Sequence, residues 1–337
     1  MNPAFSVILF TTLSGAGYGL LAWLGVLFAT SSLRGAALNN ADVLACHSLI
    51  ALLATGMGLA VLGLISSTFH LGKPMRSWRA FSQWRTSWLS REGVLAMLTL
   101  VPATMLAACL WTVVQGDPTS AVFSIRIAPW LGGALALLSL LTVGCTGMIY
   151  ASLQPIPAWR HPLVVPVYLV FSASTGCLLL GALSRLAFGA PRSFSDEHFV
   201  GTAPLLALIP IVLAGALAVL KHAYWKAIDR IDMPSREAAT ALEGYGTVAT
   251  FERPHTEANY LTREMGFVLA RKHSRKLRAI ALLLFAGIPP LALLVGALLP
   301  VLATLGWWCA ALCALAGACV ERWLFFAEAK HMVMLYY

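Results

Sequence analysis

The sequence predicts an all-α polytopic membrane protein, a bundle of eight transmembrane helices forming one integral domain over residues 1–337. Three observations carry this. Only 11% of the 337 residues are charged and 59% are hydrophobic, whereas soluble domains carry about 25% charged residues. Seven runs lack Asp, Glu, Lys and Arg, at 1–33, 43–72, 93–116, 127–159, 161–184, 198–220 and 279–320, and about 20 apolar residues cross a bilayer as a helix. None of these runs alternates polar and apolar residues, as the ~10-residue strands of a membrane barrel would.

The first run has no basic residue before it and is long enough to span, so it reads as a helix and not as a cleaved signal. Gly15, Gly17, Gly19 and Gly25 within it let neighbouring helices approach closely. The second run ends at His70. The polar connection His70–Glu92 follows, HLGKPMRSWRAFSQWRTSWLSRE. Runs three to six each hold one helix. The seventh is 42 residues long, room for two spans, with Pro300 as the break. The expected spans are 5–30, 43–70, 92–115, 129–153, 162–186, 201–224, 278–299 and 303–328.

Within the connection, Pro74 suits a first helical turn. At 100° per residue, Trp78, Phe81, Trp84 and Trp88 fall within an arc of about 120°. Arg76 and Arg79 project from the other side, and Arg85 falls among the aromatics. This pattern predicts a short interfacial helix after helix 2, aromatics toward lipid or protein and cations toward phosphate or a partner. The loop 225–277 is the longest soluble segment. Thr256 could cap a helix that leads into Arg271, Lys272, Arg275, Lys276 and Arg278. A loop of this size is too small for an enzyme domain, and its basic end suits either a membrane anchor or a partner-docking surface.

Eight spans place both termini, the His70–Glu92 connection, Arg160 and the long loop on one side. That side holds 18 of the 23 Lys and Arg residues, and the other holds four: Arg34, Arg126, Arg185 and Arg192. The basic side is therefore expected to be cytoplasmic. The net charge of +9 is explained by this bias and does not call for nucleic acid.

The seven cysteines form no CxxC pair, and no metal-ligand spacing with His appears. Iron–sulfur ligation and disulfides are therefore not expected in this chain. A b-type haem commonly takes two facing His ligands. His47 and His70 sit at opposite ends of one helix, about 35 Å apart, and no other in-span pair presents itself, so no haem is expected.

Ionisable groups at the edge of hydrocarbon are costly and mark functional sites. His70 ends span two and Glu92 begins span three, on the same side. A second cluster, Glu321, Arg322, Glu328, Lys330 and His331, reaches that side from span eight, with Arg322 expected to pair with a carboxylate. Quinone reduction or oxidation needs an apolar slot, a hydrogen-bond donor for a carbonyl oxygen, and a group that exchanges protons. His70 and Glu92 meet these needs. A transporter would instead place broken helices and charges at the membrane midplane. A purely structural anchor would leave quinone to another subunit.

The stretch HLGKPMRSWRAF…SWLSRE resembles the signature of the membrane-anchor subunits of the dimethyl sulfoxide reductase type. That family carries an HLG-x-P-x-R turn followed by Ser-x-Glu at the head of the next helix. PHTEANYLTREMGF…ARKH and RWLFFAEAKH look most like the branch associated with cytoplasmic sulfite-oxidising molybdoenzymes. The resemblance implies a three-chain oxidoreductase of the inner membrane. A molybdopterin subunit performs the substrate chemistry, a ferredoxin-like subunit carries iron–sulfur clusters, and this chain holds ubiquinone or menaquinone without haem. It implies His70 and Glu92 as quinone-site residues, with Ser90, Trp88, Arg76 and Arg91 beside them. Glu321, Arg322 and Glu328 would support the site, while Lys73, Arg79, Arg85, Arg271 and Lys272 would face the partner. In the dimethyl sulfoxide reductase arrangement the equivalent face is periplasmic. A cytoplasmic face favours sulfite oxidation over a dimethyl sulfoxide or polysulfide reductase drawing on quinol.

Overall fold

The computed structural model describes residues 4–30, 40–69, 71–116, 118–188, 203–249, 251–252, 257 and 269–335. Among these, eight helices are long and apolar enough to cross a membrane, and no strand occurs. The first six are α1 (Phe5–Thr30), α2 (Asn40–Thr68), α3 (Trp88–Val114), α4 (Pro118–Ala151), α5 (Val164–Phe188) and α6 (Ala203–Ile228). A short helix α7 (Arg236–Thr240) follows, capped by the Ser235 hydroxyl, which accepts from the Ala238 N–H at 3.1 Å. The seventh span joins α8 (Leu269–Leu282) to α9 (Ile288–Leu298) through a π-helical turn, Leu283–Gly287. Pro289 and Pro290 have no N–H to donate back into that turn, which accounts for the local widening. The eighth span is α10 (Ala303–Ala327), separated from α9 by a 3₁₀ turn at Pro300–Leu302, at the expected proline break.

α1 is the central helix and packs against α2, α4, α5 and α10. Its glycines make this possible. A Cβ at Gly17 would stand 2.5 Å from the Ala60 nitrogen of α2, and one at Gly25 would stand 2.6 Å from the Gly132 oxygen of α4. Without hydrocarbon–water contrast between helices, such backbone contact is the main source of packing attraction in lipid.

One end of the bundle is tied together by side chains and forms the frame for the site. Trp159 Nε1 donates to the Phe325 carbonyl at 2.9 Å, the Tyr224 hydroxyl to the Ala158 carbonyl at 2.9 Å, and the Met332 N–H to the Pro155 carbonyl at 3.0 Å. Arg278 binds Asp229 at 2.7 Å and Glu328 at 2.9 Å. The α4–α5 connection, the end of α6, the start of α8 and the chain beyond α10 therefore meet at one end. The α2–α3 connection lies at that same end by helix alternation. Thr256 lies outside the described residues. Arg271 and Lys272 lie on α8, and their side chains are also outside the description.

Candidate functional site

The α2–α3 connection is a 3₁₀ helix, Pro74–Gln83, with about three residues per turn. That period changes the faces expected of an α-helix. Met75, Trp78 and Phe81 align on one stripe, and Arg76, Arg79 and Ser82 on the next. Three contacts fasten the element to the head of α3. The Ser90 hydroxyl donates to the Ala80 carbonyl, and Arg91 donates to the Trp84 carbonyl at 3.0 Å and the Arg85 carbonyl at 2.6 Å. The Phe81 ring rests against Gly93, where an added Cβ would lie 3.0 Å from it. Ser90 and Arg91 thus both hold the connection in place. Each tryptophan carries an arginine: Arg79 over Trp78 at 5.6 Å, Arg85 over Trp84 at 5.7 Å and Arg91 over Trp88 at 4.3 Å. The outer surface is both greasy and basic. Met75 is 88% and Trp78 64% exposed, and Lys73, Arg76, Arg79 and Arg85 are exposed beside them.

Glu92 sits behind this element. Its expected place is the membrane edge, but the 3₁₀ helix and the first turn of α3 cover it, and it is only 2% exposed. The Thr146 hydroxyl of α4 donates to its Oε1. Tyr18 of α1 lies within electrostatic reach. Its hydroxyl is buried with no hydrogen-bond partner among the described residues. His70 lies outside the described residues. Its neighbours Phe69 and Leu71 are exposed.

Across the bundle, α10 carries the second cluster inward. Glu321 Oε1 meets Lys221 Nζ at 2.5 Å, and its Oε2 meets Arg322 Nε at 2.9 Å. All three are buried, Lys221 at 1%, Glu321 at 0% and Arg322 at 3% exposure. The carboxylate pairing expected for Arg322 is present. Charge counting along the sequence assigns Lys221 to the basic side although the expected span 201–224 includes it, and gives it no role within the bundle. α6 continues to Ile228, so Lys221 faces the bundle interior. The sequence signal is a lysine two turns inside a helix that ends on the same side as Glu321.

Aromatic rings enclose the cluster. Arg322 stacks 3.7 Å from the Tyr168 centroid, and Lys221 lies 4.3 Å from Tyr224 and 4.7 Å from Trp225. Glu328, expected to join this group, instead binds Arg278 beyond the end of α10. Burial there pushes its carboxyl up from the usual range, against the Arg278 contact that lowers it. Asp229 goes the other way, held low by its bonds to Arg278.

Arg322 and Thr146, the hydrogen-bond partner of Glu92, both line one cavity of about 20 Å³. The structure therefore ties Ser90 and Arg91, the latter stacked on Trp88, to the α2–α3 connection, buries Glu92 next to them in sequence, and places Arg322, paired with Glu321, on the cavity that Thr146 also lines. Tyr18, Thr146, Tyr168 and Lys221 complete the buried polar set and are not singled out by the sequence.

Comparison with known proteins agrees with this architecture. The family model for the DMSO reductase anchor subunit (DmsC) matches residues 1–327. The chain is 34% identical over 349 aligned positions to a sulfite dehydrogenase subunit of Allochromatium vinosum, covering 100% of this chain and 99% of that protein. The chain belongs to the DMSO reductase anchor-subunit family, the membrane anchors of molybdoenzyme complexes.

Proposed function

We propose that this chain anchors a molybdopterin and iron–sulfur oxidoreductase in the inner membrane and holds a quinone at Glu92. Electrons would pass from the iron–sulfur subunit to the quinone as the molybdopterin subunit oxidises sulfite to sulfate. The observation that carries this is the buried Glu92 carboxylate, hydrogen-bonded by Thr146, at the head of α3, whose connection to α2 exposes Phe69, Leu71 and Met75. A carboxylate in that position is expensive to retain without a function. The apolar edge suits an isoprenoid tail, and the buried Tyr18 hydroxyl and Glu92 suit a carbonyl-bearing head group. Quinone, when bound, supplies a two-electron, two-proton couple. This chain's residues orient the head group and exchange the proton at the Glu92 carboxyl, with His70 expected beside it.

The basic, aromatic surface of Lys73, Arg76, Arg79 and Arg85 is fastened to the head of α3, which carries Glu92, so an iron–sulfur partner docked there would come close to the head group. The direction toward quinone, and sulfite as the substrate, draw on the name of the Allochromatium relative and on the cytoplasmic assignment of the basic side. Orientation is tested by Tyr245→Cys, since Tyr245 is 88% exposed. That cysteine should resist an impermeant reagent in intact cells, and labelling there would put the docking face outside.

The site is tested with Glu92→Gln and His70→Ala in the assembled complex. Both should keep turnover with an artificial soluble acceptor and lose quinone-coupled turnover by about 10²-fold or more, the range of acid–base assistance. Unchanged quinone kinetics in both variants would remove the site assignment and favour a purely structural anchor.

A further inference from the structure

The cavity between α1, α4, α5 and α10 has no role in holding a quinone, yet it is built of polar groups. At about 20 Å³ it has room for a single water molecule. The hydrogen-bond inventory of its walls decides what it takes. Ser14 donates to the Phe10 carbonyl at 2.6 Å, Ser172 to Gly15 at 2.7 Å and Thr175 to Phe171 at 2.7 Å. Thr146 is committed to Glu92. With their hydrogens spent, these hydroxyls turn lone pairs toward the cavity. Arg322 supplies the opposite character. Its Nη1 and Nη2 have no hydrogen-bond partner among the described residues, and the hydroxyls of Thr12 and Tyr168 are likewise unpartnered. All three side chains are more than nine-tenths buried.

Acceptors on one wall and guanidinium N–H groups on the other fit a molecule that both donates and accepts. An anion would face the lone pairs and a metal cation would face Arg322. Water satisfies both sides.

We propose that this cavity is a water site that relays protons to Glu92: the water accepts from Arg322 and donates to Thr146 and a second hydroxyl. The inference rests on Glu92 as the proton carrier at a quinone. Each hop breaks one O–H bond and forms another, from Tyr168 to the water, then through Thr146 to Glu92. No electrons move, and Arg322 stays charged and positions the water. The supply side is Lys221, which lines the next gap with Tyr168; its ammonium replaces the Tyr168 proton, breaking one N–H bond and forming one O–H bond. Lys221 stands near the bundle end, since it and Arg278 approach the same Trp225 ring at 4.7 and 5.5 Å and Arg278 binds the exposed Asp229 there; water at that end returns the proton to Lys221.

The test uses the intact complex and two variants outside the quinone site. Gly15 lines the cavity, and a Cβ there meets nothing within 4 Å, so Gly15→Ala adds a methyl at the cavity wall without a clash. Thr12→Val is isosteric and removes one water partner, which keeps the test decisive if Gly15→Ala fails to assemble. Two readouts are taken: quinone-coupled against soluble-acceptor turnover, and a high-resolution cryo-electron map. Each variant should slow quinone turnover at least about tenfold, since positioned proton carriers contribute 10²–10⁴-fold, with soluble-acceptor turnover unchanged. The map should show a water within hydrogen-bond distance of Arg322 in the unsubstituted protein and a weakened or absent peak in Thr12→Val. Normal quinone rates in both variants while Glu92→Gln is impaired would overturn the relay and leave the quinone site standing. An unimpaired Glu92→Gln would overturn both, and a cavity without the water peak would overturn the relay by itself.

Discussion

Glu321→Gln leaves two cations facing each other inside the bundle. Lys221 and Arg322 are 1% and 3% exposed, and their only ion-pair partner among the described residues is the Glu321 carboxylate, at 2.5 and 2.9 Å. Removing one partner of a buried pair costs about 3–5 kcal/mol, because a desolvated charge remains uncompensated. Here two charges are stranded, so Glu321→Gln should reach at least the top of that range. Lys221→Met is the contrasting change. It leaves Glu321 still paired with Arg322, a neutral couple, and the methionine can lie between the Tyr224 and Trp225 rings that now flank Lys221. Its cost should stay near about 1–3 kcal/mol, the loss of a charged hydrogen bond with one acceptor lone pair left unmet. Since 1.4 kcal/mol is tenfold in an equilibrium constant, the two variants should differ about tenfold or more in folded population. The assay is thermal unfolding of the detergent-purified complex, with the amount of assembled subunit in the membrane as a second reading. Lys221→Met costing as much as Glu321→Gln would refute the charge accounting.

Further expectations follow from the same geometry. Arg278→Met strands Glu328, whose side chain is mostly buried, and loosens the joint between α6, α8 and the chain beyond α10. The expected loss is about 1–3 kcal/mol, read by thermal unfolding. Arg91→Met frees the Trp84 and Arg85 carbonyls, a loss of about 1 kcal/mol for a half-exposed contact; amide exchange over 71–87 should accelerate. His161 and His331 are held below the ordinary histidine value by burial. Their Nδ1 atoms accept backbone N–H groups of Leu163 at 3.2 Å and Val333 at 3.0 Å. The unfolded chain protonates first, near 6.5, so their stabilisation is whole above that pH and is lost as pH falls toward the lower folded values. Faster exchange of the Leu163 and Val333 amides below about pH 6 would be the signature. Gly19→Leu should prevent assembly, because a side chain there collides with the Ser172 backbone of α5.

The spans are legible because they depend on local composition: uncharged runs predict membrane helices whatever packs around them. The Glu321–Arg322 pairing is legible for a similar reason, since adjacent opposite charges within a span leave few alternatives. Lys221 is not, because a lysine near the end of a span ordinarily reaches for the interface, and only the third dimension shows α6 turning it toward Glu321 of α10. The 3₁₀ character of Pro74–Gln83 is hidden because its stripes depend on the helical period assumed. Glu92 stands out by type and position, while its depth follows from Ser90, Arg91 and Phe81 folding the connection over it. Thr146 gives no sequence signal, because threonine hydroxyls in membrane helices ordinarily bond to their own backbone, and Tyr18 and Tyr168 give none because tyrosines in spans ordinarily serve as packing or interfacial residues. That Thr146 and Tyr168 share one cavity emerges only when four helices converge.

The central claim is that a quinone head group binds at Glu92. A photoreactive quinone analogue irradiated in the assembled complex tests it most directly, with cross-linked peptides identified by mass spectrometry. Labelling within residues 66–93 and beside Tyr18 or Thr146, abolished by excess unlabelled quinone, is the result expected. Labelling confined to the iron–sulfur partner, or to the exposed opposite end around Trp130, would contradict it.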